Sequence, residues 1–421
     1  MIDAAPQIRQ RADYTHKFNR NMGRHGWLRL TPAYSVKIVD EILDDAPEGA
    51  RILDPFCGTA TTALCAGYHG LDAATVEINP FLVWFGQVKT ARYSDHIVSQ
   101  TREMGERIEK RVSRGDVQPV PPPNIHNIER WWNPRALRHL CALKAAIDAE
   151  SHGRSKSRDL LLVAFCRTLI DLSNAAFNHQ SMSFNDAPSD DLFAGQDAFV
   201  DDYSGAFAAD LEFILDSAAW NPKKSPMVKG GDSRAIDTVF EGDINNLFDL
   251  VVTSPPYPNR ISYIRELRPY MYWLDYLKEA REAGELDWQA IGGTWGAATS
   301  RLLEWKRNGG SAAFPKYFDA MLAQVADAHA KNGPLLANYI AKYFEDIWKH
   351  LAALRKILSP HARLHYIVGN STFYDILIPV EQLYADVFRA LDYDSIETKT
   401  IRKRNSKKEL FEYCVSATCG A

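Results

Sequence analysis

Residues 50–80 read ARILDPFCGTATTALCAGYHGLDAATVEINP, and the order of residue types in this stretch decides the fold. Ile52 and Leu53 close a short apolar run that stops at Asp54. Gly58 then lets the backbone turn sharply, and the small residues from Thr61 to Tyr68 suit a helix packed closely on a sheet. A second run, Ala73 to Glu77, also ends on an acid. Strand, glycine turn, helix, strand is the βαβ unit of a parallel sheet. Glu77 lies about twenty residues beyond the turn, where a carboxylate accepts the hydroxyls of a ribose. A helix N-terminus reached through such a turn offers free N–H groups to an anionic group. The turn has neither Gly-Lys-Ser/Thr nor GxGxxG, so it is no P-loop and a weak dinucleotide site.

Working outward, residues 1 to about 30 are basic and polar and read as an arm or lid. From Pro32, Val36, Val39, Ile42 and Leu43 have helical spacing, with Ser35 as N-cap. From Phe81 to about Ala219 the patterns are helical (HIVSQTREMGERIEKRV, NPRALRHLCALKAAIDAE, SRDLLLVAFCRTLIDLSNAAF), broken by VQPVPPPN at 117–124. NHQSMSFNDAPSDD reads as a loop, and Trp131 and Trp132 as core. Strands resume near 228, followed by an aromatic helix, YIRELRPYMYWLDYLKEAREAGEL, and a Gly/Trp/Arg-rich segment at 288–315. A helix (NYIAKYFEDIWKHLAALRKIL), a strand (ARLHYIVGNS), a helix (PVEQLYADVFRALD) and two strand-like runs joined by IRKRNSKKE complete the pattern. The expected fold is α/β: an open, mostly parallel sheet with a large helical insertion. Residues 1–84 hold the first half of the sheet, 85–225 the insertion, and 226–421 the second half with a further insertion at 278–330.

With 421 residues, 46% hydrophobic and 24% charged, the chain can build a large core without metal or disulfide staples. The net charge of −4 puts any polyanion surface in a local patch. Six cysteines without a CxxC pair suit a reducing cytoplasm and supply no metal site. No apolar run is long enough to span a membrane, and the N-terminal residues lack the apolar centre of a signal peptide.

Two further motifs stand beyond the insertion. KGGDSRAIDTV places Asp232 after a strand, within reach of an adenine amino group, with Ser233 capping the next helix. DLVVTSPPYPNR ends a strand in two prolines that have no N–H to give, carrying Ser254 and Tyr257 on a stiff turn.

Together DPFCGTATT, VEIN, GDS and TSPPY resemble the amino-methyltransferases of DNA, which move a methyl group from S-adenosylmethionine to an exocyclic base nitrogen. The resemblance covers about 30–85, 228–275 and the strands near 363–373. It implies a class I methyltransferase (Rossmann-like) fold and S-adenosylmethionine as cofactor. WLRLTPAYSVKIVDEIL looks like the family's additional cofactor motif, with Pro32 and Tyr34. The implied cofactor residues continue with Asp54, Pro55, Phe56, Cys57, Gly58, Thr59 and Thr61 around the methionine part, Glu77, Ile78 and Asn79 at the ribose, and Asp232 and Ser233 at the adenine. One departure stands out, for Ala60 occupies the place of the family's usual second glycine.

The implied catalytic residues are Ser254, Pro255, Pro256 and Tyr257. An exocyclic amine shares its lone pair with the ring and is a poor nucleophile. Acceptors on Ser254 Oγ and the Pro255 carbonyl would aim that lone pair, and Tyr257 would stack on the base. SPPY favours N4-cytosine over N6-adenine. Related PPY motifs methylate RNA or protein glutamine, and a degenerate, non-catalytic DNA-binding subunit is the reading that Ala60 supports best. A base inside double-stranded DNA must be flipped out, which calls for cationic contacts to the backbone. Arg260 and the IRKRNSKK cluster (Arg402, Lys403, Arg404, Lys407, Lys408) lead for that role, with Arg20, Arg24, Arg265 and Arg268 behind them. A cognate restriction endonuclease or defence protein is a further candidate partner.

Overall fold

Leu53 sits between Ala74 on one side and Val251 on the other, parallel to both. That residue lies on an inner strand, next to the middle one. In this computed structural model the strands are β1 (Arg51–Asp54), β2 (Asp72–Glu77), β3 (Met227–Gly230), β4 (Phe248–Thr253), β5 (Leu358–Gly369), β6 (Tyr393–Lys403) and β7 (Phe411–Cys419), in the order β6-β7-β5-β4-β1-β2-β3. Only β7 runs against its neighbours. The result is the expected Rossmann-like, class I methyltransferase sheet. The residues described are 11–15, 17–30, 33–176, 183, 184, 203, 205–242, 247–294, 296–307, 314–404 and 409–420.

Strand alternation assigns each face its own helices. Ile52, Leu250 and Val252 pack with Val36 and Val39 of α1 (Val36–Leu43) and Cys65 and Ala66 of α2 (Thr61–His69). Leu53, Val251 and Leu364 face the other way, onto a layer that includes α12 (Lys316–Asp327), α13 (Gly333–Arg355) and α14 (Val380–Ala390).

The middle of the chain is helical as expected: α3 (Pro80–Thr90), α4 (Asp95–Arg114), α5 (Pro134–Glu150), α6 (Lys156–Asp171) and α7 (Ala206–Ala218). A two-residue ladder, Ala175–Ala176 with Ser183–Phe184, is an addition that the sequence did not suggest. Apart from Ser183 and Phe184, the NHQSMSFNDAPSDD stretch lies outside the described residues. Trp131 and Trp132 are core, as expected, with Trp132 edge-on to Trp273 at 5.8 Å. This core also takes in Trp27, Phe81, Tyr270 and Met271, so the insertion packs on elements from both halves of the sheet.

Beyond β3 come the short α8 (Ile236–Val239) and then β4. The aromatic run after SPPY is two helices rather than one, α9 (Tyr263–Trp273) and α10 (Ala280–Gln289). The break falls at Asp275, whose φ of 62° is left-handed, and a capping box between Glu279 and Glu282 restarts the helix. α11 (Ala297–Glu304) forms inside the Gly/Trp/Arg-rich segment.

The N-terminal segment departs from the expected arm. Residues 11–30 wind through short 3₁₀ turns, with Trp27, Leu28 and Leu30 buried. Ser35 stands at the N-cap position of α1 but caps nothing. Its hydroxyl donates to the Asp13 carbonyl, and Asn19 Oδ1 accepts from the Val36 N–H in its place. Arg24, weighed as a phosphate contact, is fully buried. It donates to the carbonyls of Lys89, Ala91, Ser217 and Ala218 and to Asn221 Oδ1, tying the segment to the ends of α3 and α7.

Removing that guanidinium strands several buried carbonyls at once, which costs about 3 kcal/mol or more. Arg24→Ala is therefore expected to lower the urea midpoint at an unchanged slope, well beyond the effect of Arg20→Ala at an exposed position. Equal midpoints for the two variants would remove the clamp from the account.

Candidate active site

The sheet order reverses about β1, and at such switch points ligands bind beyond the carboxyl ends of the strands. Thr253 at the end of β4 donates its hydroxyl to Asp54 Oδ1 at the end of β1, at 2.6 Å. Above these ends lies a cavity of about 340 Å³, lined by residues of both motif-bearing halves.

The glycine turn forms its first wall. Gly58 and Ala60 both have positive φ, 51° and 56°, so the chain reaches α2 through left-handed turns. Alanine bears that conformation at a cost of about 1–2 kcal/mol. Its methyl packs with Cys57, Ala63 and Val228, and Ala60 does not line the cavity. Lys89, fully buried and pushed down to about 8 by desolvation, donates to the Thr59 carbonyl at 2.6 Å and steadies the turn from behind.

Glu77 closes β2 and joins the turn to the second wall. Its Oε2 accepts the Gly58 N–H and its Oε1 the Asn79 N–H, each at 2.9 Å, leaving a second lone pair on each oxygen. Burial pushes its carboxyl up to about 7, against the pull of those two bonds. Asn79 caps α3 through the Phe81 N–H. Asp232, rather than Ser233, caps the turn after β3: it accepts the Arg234 N–H and a two-pronged contact from the Arg234 side chain. Arg234 also reaches the Gln289 carbonyl, which brings Gln289 and Ile291 from the second insertion to the cavity wall. Ser233 presents its carbonyl to His350 Nδ1 at 2.9 Å. His350 is held neutral, pushed down to about 4 by burial. So Nδ1–H donates there, and Nε2 accepts from the Tyr366 hydroxyl.

The SPPY turn forms the far wall. Ser254 Oγ lies 3.2 Å from the Ile367 carbonyl and 3.3 Å from Tyr257 Oη, and its proton serves one or the other. Its lone pairs therefore stay available. The Pro256 carbonyl accepts from the Tyr343 hydroxyl at 2.7 Å, and Tyr343 is itself bonded to Tyr384 at 2.9 Å. Tyr257 donates to Glu412 Oε1 at 3.0 Å, while Arg404 lies 5.4 Å from the centre of its ring. Arg402 binds Glu412 through Nε at 2.7 Å.

Of the residues expected at the cofactor, Tyr34, Pro55, Phe56, Gly58, Glu77, Ile78, Asn79, Asp232 and Ser233 line this cavity. Cys57, Thr59 and Thr61 do not: Cys57 is buried in the small-residue cluster, and the two threonine hydroxyls bond each other at 3.1 Å. Asp54 stands just outside the lining. Its Oδ1 is satisfied, whereas its buried Oδ2 has no hydrogen-bond partner among the described residues, and burial lifts the group to about 7. Pro32, Lys407 and Lys408 lie outside the described residues. Arg402 and Arg404, expected on an open basic face, line the cavity instead, with Arg404 donating to the Asn370 and Phe411 carbonyls. Arg260 is exposed at a left-handed φ of 63°, and its N–H donates to Tyr339. Arg268 sits 5.4 Å from the centre of the Trp131 ring. Tyr14 and Thr15 from the N-terminal segment join the lining, so that segment does partly cover the cavity.

The sequence reading missed Glu412, Tyr343 and Gln289. Only Glu412 left a signal, an acid at an inward position of an alternating strand, paired across the ladder with Arg402.

The wall is acidic, which suits a ligand with hydroxyl and amine donors. On it Glu77 and Asp232 present carboxylate oxygens, while the unmet Asp54 oxygen lies buried just behind the lining. Among the described residues no group of three or more His, Cys, Asp or Glu side chains is placed to hold a metal ion, and no helix is long and apolar enough to cross a membrane.

The chain matches no protein-family model. It is 19% identical over 400 residues to the Type II methyltransferase M.MvaI of Kocuria varians, an alignment spanning 90% of this chain and 84% of that one. It is 20% identical over 456 residues to the Type II methyltransferase M.BsoBI of Geobacillus stearothermophilus, spanning 95% and 84%. Among solved structures, an rRNA methyltransferase, aviRa of Streptomyces viridochromogenes, aligns at 11% identity and a TM-score of 0.30, over 93% of this chain and 88% of the other.

Folded Glu77 and Asp54 hold their protons to about pH 7, whereas unfolded carboxyls release theirs near pH 4. The folded state thus binds more protons between about pH 4 and 7, and the stability of the unliganded protein falls as pH rises through that window. A ligand that needs an ionised Glu77 gains about fivefold in affinity from pH 6 to 7, as the ionised fraction rises from about a tenth to a half. Calorimetry with S-adenosylmethionine should show this rise, and Glu77→Gln should bind at least about tenfold more weakly with the rise reduced. Separately, Ala60→Gly should leave that affinity within about twofold, because the methyl faces away from the cavity. Its stability should also change little, since relief at φ is offset by the lost methyl and the freer unfolded chain.

Proposed function

We propose that this protein methylates DNA, transferring the methyl group of S-adenosylmethionine to the exocyclic amine of a flipped base, N4 of cytosine ahead of N6 of adenine. The observation that carries the reading is that one cavity joins the Glu77 and Asp232 carboxylates to the SPPY turn. The two Type II methyltransferase relatives, aligned over most of their length, support DNA as the substrate.

In this reading Glu77 holds the ribose hydroxyls, Asp232 the adenine amine, and Asp54 the ammonium of the methionine tail. The cofactor supplies an electrophilic methyl on sulfur. The rest is positioning by the chain. Ser254 Oγ keeps its lone pairs free because its own proton goes to Ile367 or Tyr257. With the Pro256 carbonyl occupied by Tyr343, the Pro255 carbonyl is the second acceptor for the amine hydrogens. Two such acceptors draw the amine hydrogens so that the nitrogen becomes pyramidal and its lone pair leaves conjugation, and they cost no reorganisation during the reaction, because the prolines hold the turn rigid. Arg260, exposed just after the motif, is the phosphate contact nearest the cavity in sequence.

Long-read methylation mapping of host DNA carrying the wild type or Ser254→Ala tests this directly. A modified motif present with the wild type and absent with the variant is the expected result, with mass spectrometry of the nucleosides naming the amine. Unmodified DNA from a wild type that binds S-adenosylmethionine would sink the reading.

A further inference from the structure

We propose that Ser254, Tyr257 and Glu412 form a directed proton path from the target amine to a buried carboxylate. The inference rests on the amino-methylation reading above and adds to it the fate of the proton.

The hydrogen bonds all point one way. Ser254 Oγ donates to Tyr257 Oη at 3.3 Å, and Tyr257 Oη donates to Glu412 Oε1 at 3.0 Å. The alternative acceptor for the serine proton, the Ile367 carbonyl at 3.2 Å, cannot keep a net proton. A turn about Cβ–Oγ moves the serine hydrogen from one to the other. Glu412 is the only one of the three that carries a negative charge. It is 5% exposed, and Arg402 binds both its oxygens, at 2.7 and 3.3 Å, which holds Oε1 against the tyrosine. The Tyr257 phenol is pushed well above its ordinary range by burial and then by the Glu412 charge, so it passes a proton on rather than holding a negative charge.

The balance closes without a further reactant. The N–C bond to methyl forms as the S–C bond breaks, and that electron pair stays on sulfur. One N–H bond breaks, and its pair returns through nitrogen to the ring. The released proton goes to Ser254 Oγ, the serine proton to Tyr257 Oη, and the tyrosine proton to Glu412. A sulfonium and a carboxylate become a thioether and a neutral acid, so the two charges vanish together inside a closed site. A methylated nitrogen whose lone pair is no longer delocalised is a strong acid, so the proton leaves it readily along the chain of hydroxyls. Water takes it from Glu412 once the product leaves.

Glu412→Gln keeps the shape and an acceptor for Tyr257, but it cannot take up a proton. Tyr257→Phe keeps the ring and cuts the path. In single-turnover methyl transfer to a duplex, each variant should be about a hundredfold slower than the wild type, the range for a lost proton transfer. Affinities for S-adenosylmethionine and DNA should stay within about twofold, and the slowing of the wild type in deuterated water should be lost. In the unliganded protein, a hydroxyl proton resonance assigned by its absence in Tyr257→Phe should move upfield in Glu412→Gln. A purely structural Glu412 would leave the deuterium effect intact. Wild-type rates and an unchanged deuterium effect in Glu412→Gln overturn the path alone. A wild type that binds the cofactor and methylates no DNA overturns the reading beneath it as well.

Discussion

The 2.6 Å hydrogen bond from Thr253 to Asp54 is the contact on which the site depends. It joins the carboxyl ends of two strands that are 199 residues apart in the chain, at the point where the sheet order turns back. The pairing of Ile52 with Leu250 and Leu53 with Val251 sets the register. A slip of one residue would turn Val251 and Val252 to the wrong layers and carry Ser254 away from the glycine turn. The apolar alternation of β1 and β4 is therefore also the device that aligns two halves of a reaction.

Around that contact, backbone and side chains divide the work. Backbone groups of the glycine turn are held by Glu77 in front and by Lys89 behind, one carboxylate pushed up and one amine pushed down by burial. At the other wall, stiffness comes from prolines and from the Tyr343–Tyr384 pair. Each wall carries its own ion pair, Arg234 with Asp232 at one and Arg402 with Glu412 at the other.

Much of this was legible in the sequence because it depends on local pattern. β1, the glycine turn, α2 and Glu77 lie within thirty residues and announce themselves through residue type. The helical character of 85–225 was equally plain from its periodicity. What escaped has long-range causes. Thr59 and Thr61 stand at the right helix end, but left-handed turns at Gly58 and Ala60 turn their hydroxyls inward. Arg24 and Arg402 read as surface cations, because sequence shows their charge and not the carbonyls or the carboxylate that await them. Glu412 was hidden for the same reason, since its meaning comes from Arg402 across a ladder and Tyr257 across the sheet.

The Arg24 clamp has a consequence for how the molecule is made. During synthesis from the N-terminus, Arg24 emerges early, yet three of its five acceptors belong to Ser217, Ala218 and Asn221. Until the end of α7 has left the ribosome, the guanidinium has no dry place to go, and the segment carrying Tyr14 cannot close over the glycine turn. The helical insertion therefore has to be made before the clamp can be completed, at a stage when five of the seven strands are still to be translated.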